Sequence, residues 1–298
     1  MRNPMMKKND IIEIASLVAV LIILAWINYL LEVPVIALFA TGAGIFFYYI
    51  LVHISTVYGN ASCDYIQTGE AAVGSFAIYA CIRFVSANPY LVLLSGFISL
   101  LLYDIYLKIL IAPEKNERLL NGILVQAILA SIFLYPAAGG GTSSLATLEK
   151  IFLGFFSSVQ INYTGMIAPL GLGIAALSLS LALYPELRLL SQGAFFFGGS
   201  RSVITAINIG MTIIRSLLTT ATIGFLGWMC GFGLYVRYLS RSRYPGLAAA
   251  LKLYVFAEFA IILAHYTSPW FAIAFSACSS YILFLYYAKK RKYWYDRY

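Results

Sequence analysis

The sequence predicts an all-α, polytopic membrane protein of about ten transmembrane helices with both tails on the cytoplasmic side. Three observations carry this. First, 61% of the 298 residues are hydrophobic and 11% are charged, with a mean hydropathy of +0.85. A soluble chain of this length cannot hide that much apolar surface in its own core, whereas a bilayer can. Second, the apolar residues come in runs of about 20, the length of a helix across the hydrocarbon core. Helices also pair their own backbone groups in lipid. Third, Lys and Arg gather at the ends of the runs and sort to one side.

Taken in order, the spans are expected at 11–31, 33–53, 70–86, 88–107, 119–135, 161–184, 202–218, 221–238, 247–266 and 269–288. The first run is long, leads straight into further spans and lacks a small-residue cleavage site. It therefore reads as a retained helix rather than a leader. The stretch 202–238 is too long for one span and short for two. Gly224 and Gly227 offer places to turn, and charge decides for two. Arg2, Lys7 and Lys8 precede the first span; Lys289, Lys290, Arg291, Lys292 and Arg297 follow the last. Placing both tails inside requires an even number of spans. Ten spans put Lys108, Lys115, Arg118, Arg188, Arg201, Arg237, Arg241 and Arg243 inside. Lys150 is then the clear loop cation on the opposite side.

The net charge of +8 is accordingly a topology signal. No separate domain carries it, so nucleic acid is not an expected partner. Residues 1–298 form one transmembrane domain. The C-terminal Lys-Lys-Arg-Lys-Tyr-Trp-Tyr run suits an anionic inner leaflet.

Reaction chemistry finds no footing in the sequence. His53 and His265 are expected on opposite sides of the membrane. There is no His-Glu-x-x-His, paired carboxylate, Ser/His/Asp grouping or Walker loop, and Cys63, Cys81, Cys230 and Cys278 are scattered. No catalytic residue, metal site or bound cofactor is assigned to this chain, and the balance favours transport over an intramembrane enzyme.

Polar residues at membrane depth are costly, so each is a candidate for a role. Glu258 sits mid-span in Tyr-Val-Phe-Ala-Glu-Phe-Ala. Arg83 and Arg215 are expected near outer span ends, where with Lys150 they are candidates for docking at the outer face. Two segments interrupt the clean spans. In 58–77, Asn60, Asp64 and Gly69 mark a polar turn; Glu70 and the small residues Ala71, Ala72, Gly74, Ser75 and Ala77 follow. Small residues let helix backbones approach closely. In 185–201, Pro185-Glu186 opens a short amphipathic helix that ends near Gly193 and Gly198-Gly199.

These interruptions give the chain a resemblance to the permease subunits of type II ABC importers, the group that takes up iron-siderophores, haem and vitamin B12. Asn60-Ala-Ser-Cys-Asp64 running to Gly69-Glu-Ala-Ala-Val-Gly74 is similar to that family's Asn-Pro-Leu-Ala-Asp-Pro…Gly-Ala-Ala-x-Gly. Leu119-Leu-Asn-Gly122-Ile matches its Leu-x-Gly-Ile segment, and Glu186-Leu-Arg-Leu-Leu-Ser-Gln-Gly193 its Glu-Leu-x-x-Leu-x-Leu-Gly. Gly227-Trp-Met-Cys-Gly231-Phe-Gly233-Leu echoes Gly-x-Ile-Gly-Phe-x-Gly-Leu, and Phe256-Ala-Glu258 stands where that family has Leu-Ala-Asp. The likeness covers roughly 33–265. The two prolines of the first element and the Pro-His after the glycine element are missing, so the chain resembles a divergent, shortened member.

The resemblance implies a homodimer around a central pathway and an ABC ATPase subunit docked beneath, which binds the ATP and magnesium. It also implies an extracytoplasmic substrate-binding protein above. The segment 185–201 would hold the coupling helix, with Leu187, Leu189 and Leu190 giving apolar contact. Glu186, Arg188 and Gln192 would give polar registry, and Gly193 the turn. Asn60, Asp64, Gly69, Glu70, Gly74, Gly231, Gly233 and Glu258 would line the pathway or pack its helices. The outer 136–158 segment would meet the binding protein. The competing expectations are a zinc/manganese-type permease, whose early Gly-Asp-Ala-x-Ser-His-Ala element is absent here, and a secondary transporter that needs no ATP.

Overall fold

A computed structural model of the chain describes residues 8–33, 35–58, 68–86, 88–110, 122, 124, 125, 128, 129, 163–192, 201–232 and 245–266. Helix dominates, and no strand occurs among the described residues. The helices are α1 (Lys8–Leu30), α2 (Val35–Tyr58), α3 (Thr68–Phe84), α4 (Pro89–Leu110), α5 (Tyr163–Ala182), α6 (Tyr184–Gln192), α7 (Arg201–Leu226) and α8 (Pro245–Tyr266). A 3₁₀ turn, Gly227–Phe232, extends α7. Four described stretches are long and apolar enough to cross a membrane: Ile11–Leu30, Val35–Ile54, Pro89–Leu107 and Ser202–Gly231. The chain is a helical membrane protein on this ground. The expected span 269–288 and all but a few residues of 119–135 lie outside the described residues.

The structure corrects the reading of 202–238. No turn falls at 218–221; one helix runs unbroken from Arg201 to Leu226. Two of its buried hydroxyls are satisfied by the helix itself. Thr220 and Thr222 donate to the carbonyls of Ser216 and Leu218, each at 2.7 Å, the back-bonding that lets hydroxyls sit in a buried helix. The helix ends at Gly227, whose φ of 56° is left-handed and suits a residue without Cβ. Residues 233–238 of the expected eighth span lie outside the described residues.

Helix α7 is the centre of the bundle, packing against α2, α3, α4 and α5. Its first half is largely exposed, whereas nearly every residue from Ile214 to Gly231 is buried. Phe47 of α2 stacks on Phe225 at 6.2 Å and lies over Gly173 of α5, while Leu183 reaches Gly210. Helix α5 therefore runs antiparallel to α7. Pro169 sits inside α5, where it removes one backbone bond.

Local sequence sets the element ends. Asn88 caps α4, accepting from the Tyr90 N–H at 3.0 Å, with Pro89 in the first helical position. Helix α6 follows α5 with only Leu183 between; Leu183 N–H still bonds Leu179 O and Leu187 N–H bonds Leu183 O, both at 3.0 Å. The Pro185 ring, lacking an N–H, falls at this junction.

Helix α1 lies at the periphery. Ile22, Trp26 and Tyr29 are more than half exposed, as a lipid-facing stripe requires. Its C-terminus closes with Val33 N–H on Asn28 O at 3.0 Å and Glu32 at φ 53°. A non-glycine in this conformation costs about 1 kcal/mol, and an acidic side chain opposes the helix C-terminal dipole. Glu32→Gly is expected to raise the thermal midpoint of the purified protein by the equivalent of about 1 kcal/mol. An unchanged midpoint would mean the turn carries no such strain.

Candidate functional site

Three polar features stand out among the described residues. The first is an ion pair at its heart. Glu70, in the first turn of α3, and Arg215, midway along α7, are 5% and 8% exposed. One guanidinium nitrogen, Nη2, donates to both carboxylate oxygens, at 2.6 and 2.7 Å. The charges cancel where neither could be left alone in lipid. The band just beyond, Ser216, Thr219, Thr220 and Thr222, is also buried.

This placement corrects the expectation for Arg215. It is not at an outer span end open to a docking partner, because the continuous α7 carries it into the bundle. Arg83, by contrast, is exposed in the last turn of α3. Lys150 lies outside the described residues.

The second feature joins α1 to α8. Asn28 Nδ2 donates to Glu258 Oε2 at 2.5 Å, with Asn28 0% and Glu258 3% exposed. Asn28 Oδ1 and Glu258 Oε1 are both buried without a hydrogen-bond partner. Nearer the helix starts, Lys252 Nζ and Glu13 Oε1 form a half-buried ion pair at 2.5 Å. Polar contacts at two points thus tie the peripheral α1 to the bundle, as interhelical hydrogen bonds do in membranes. Sequence reasoning missed Asn28, Glu13 and Lys252. The available signal was a lone amide inside the apolar run 11–31.

The third feature is α6, an elbow between α5 and α7. Leu187 is fully buried and belongs to the main core. This corrects its expected role, because a side chain that anchors the elbow to the bundle is not free for an outside partner. Leu189, at 40% exposure, and Arg188 face outward, and Glu186 is half-buried. The side chains of Leu190 and Gln192 are not among those described, and Gly193 lies outside the described residues.

The predicted glycines behave as close-approach points. A Cβ on Gly69 would come within 2.7 Å of Gly122 Cα, and one on Gly74 within 2.5 Å of Ile223 Cδ1. Two segments singled out separately in the sequence, 60–74 and 119–123, therefore meet at Gly69 and Gly122. Gly231 is buried in the 3₁₀ turn, beside Trp228, whose ring meets Phe76 of α3 edge-on at 5.6 Å. Asn60, Asp64 and Gly233 lie outside the described residues.

Chemistry beyond charge pairing is sparse. No group of three or more metal-ligating side chains occurs among the described residues. Cys81 and Cys230 are buried free thiols. An apolar cleft of about 520 Å³ opens between α4, α5 and α7, lined by residues such as Leu93, Phe97, Ile167 and Leu172. Among the described residues its one titratable lining group is the Tyr90 phenol. No protein-family model matches this chain, and no curated protein does.

Proposed function

We propose that this chain is the membrane-spanning permease subunit of an ATP-driven importer, moving a metal chelate such as an iron-siderophore, haem or corrinoid. The observation that carries the reading is α6. A short, amphipathic helix sits between two apolar helices, anchored by Leu187 and presenting Arg188 and Leu189 outward. A rigidly anchored elbow with a polar and apolar outer face suits the transmission of motion from a separate motor to the spans, which respond by shifting between packed arrangements. The order of the motifs from Asn60 to Glu258 supports the same reading.

In this proposal the chain lies in the cytoplasmic membrane as a homodimer with both tails inside. An ABC ATPase holds ATP and magnesium below, and a substrate-binding protein docks above, near Arg83 and Lys150. Asn60, Asp64, Gly69, Glu70, Gly74, Gly231, Gly233 and Glu258 belong to the pathway or to the packing around it.

The test is co-purification from the native host. The full chain is expected to retain an ATPase carrying Walker and signature motifs, and the complex to hydrolyse ATP. Arg188→Glu combined with Leu189→Ala is expected to lower retention roughly tenfold or more, since a lost charged contact is worth upward of 1.4 kcal/mol. Equal retention by the variant, or no ATPase with the folded wild type, would remove the basis of the reading.

A further inference from the structure

The chain buries two carboxylates in different ways. Glu70 has a fixed counter-charge in Arg215. Glu258 makes no ion pair among the described residues; its one bond is the neutral Asn28 amide. An ionised carboxyl removed from water and from cations is strongly disfavoured at membrane depth. Among the described residues none supplies that counter-charge, which leaves neutralisation to something that can arrive and leave.

The geometry points to a proton. Asn28 Nδ2–H already donates to Glu258 Oε2, leaving Oε1 and Oδ1 as two buried acceptors without donors. Adding one proton to Oε1 makes an O–H donor, and Asn28 Oδ1 is an open acceptor on the residue Glu258 already touches. The acid and the amide then pair reciprocally, Nδ2–H to Oε2 and Oε1–H to Oδ1, and both unmet acceptors are satisfied. The step forms one O–H bond with a proton from the aqueous phase and requires no oxidant or co-reactant. We propose that Glu258 and Asn28 form a proton-binding site that joins α1 to α8.

Among the described residues no group competes with the proton. Helix α8 packs against α1, α2 and the 3₁₀ turn. The cations on these elements are Lys8, which opens α1 far from Asn28; His53, exposed and stacked on Tyr49; and Lys252, bonded to Glu13. His265 lies two turns further along α8. The other titratable groups are Asp10, Glu13 and Tyr29 on α1, Tyr48, Tyr49 and Tyr58 on α2, Cys230 on the turn, and Tyr254 and Tyr266 on α8. None of them adds positive charge to balance an ionised Glu258.

The proposal goes beyond the importer reading and is indifferent to the energy source: it describes a bond between α1 and α8 that changes with protonation. Loss of the proton would leave two acceptors facing one amide and loosen α1, which the Asn28 contact helps to hold. The test is infrared difference spectroscopy of the full chain in lipid nanodiscs, stepping from acid to alkaline buffer, with sodium and potassium compared at equal ionic strength. The wild type is expected to show a carboxylic-acid carbonyl band that disappears on alkalinisation. Glu258→Gln is expected to lose that band and to release about one proton fewer per chain. Should that variant fail to fold, Asn28→Leu serves in its place. It keeps the carboxyl but removes the acceptor, so the band is expected to shift to the position of an unbonded acid. A band unchanged in either variant overturns the proposal. So does a Glu258 signal that is carboxylate throughout and responds to sodium or potassium instead of pH.

Discussion

Arg215→Ala is expected to destabilise the protein by about 3–5 kcal/mol, because it removes the guanidinium from a buried pair whose other member, Glu70, is 5% exposed. For a protein whose total stability is about 5–15 kcal/mol, that is a large fraction. The readout is the monodisperse fraction surviving a heating series in detergent. The informative comparison is the double variant Glu70→Leu/Arg215→Met. Replacing both members of a buried pair by apolar groups of similar volume is often close to neutral. The double variant is expected to regain most of the loss, to within about 1 kcal/mol of the wild type. A double variant as unstable as Arg215→Ala would mean that Arg215 holds α7 through packing, not through charge.

The pair also separates what kind of charge each buried acid represents. Glu70 is paired within the fold to a cation 145 positions away. Among the described residues, Glu258 has only an amide donor. A variant that cripples stability at Glu70 and one that alters a proton-dependent band at Glu258 therefore report on different properties. The first tests whether the bundle is built around α3 and α7; the second tests whether the α1–α8 contact is adjustable.

Much of the fold was legible because hydrophobic runs in a membrane protein are direct evidence of helices. The expected spans at 11–31, 33–53, 70–86, 88–107, 161–184 and 247–266 all find α-helices close to their bounds. The short helix at the start of 185–201 was legible from Pro185-Glu186 and its alternating Leu and polar residues. The failure at 202–238 has a specific cause. Length, Gly224 and Gly227, and the even count required by the tail charges argued for two spans, and none of these reports whether a helix stays continuous inside a bundle. The buried Arg215 is met by Glu70 of α3, and Thr220 and Thr222 bond to carbonyls of their own helix. Hydropathy cannot distinguish a span end from a span surrounded by other helices. The site was less legible for the same reason. Glu70, Arg215 and Glu258 were all identifiable as unusual, but their partners depend on which helices touch. The burial of Leu187 depends on the rotation of α6, which nine residues of sequence do not determine.

A leucine at Gly44 is expected to be among the most damaging single apolar substitutions in the bundle. Gly44 is a point of close approach between α2 and α7: a Cβ there would lie 2.7 Å from Leu226 Cγ and 2.8 Å from Phe225 Cβ. Neither neighbour has room to retreat. Phe225 and Leu226 are 0% and 1% exposed, and the Phe47 ring of the same α2 stacks on Phe225. Alanine alone therefore forces the two helices apart, at a cost of roughly 1–3 kcal/mol. Leucine adds three more carbons to the same space and is expected to exceed that range. The displacement would propagate, because the same stretch of α7 leads directly into the buried turn at Gly227. Gly171, on α5, is the control. A Cβ there meets nothing within 4 Å, so Gly171→Ala is expected to be neutral or to stabilise by up to about 1 kcal/mol through helix propensity alone. Both variants are read from thermal midpoints in the same detergent. A Gly44→Leu protein as stable as Gly171→Ala would show that α2 and α7 do not meet at this point, and the central position of α7 would have to be abandoned.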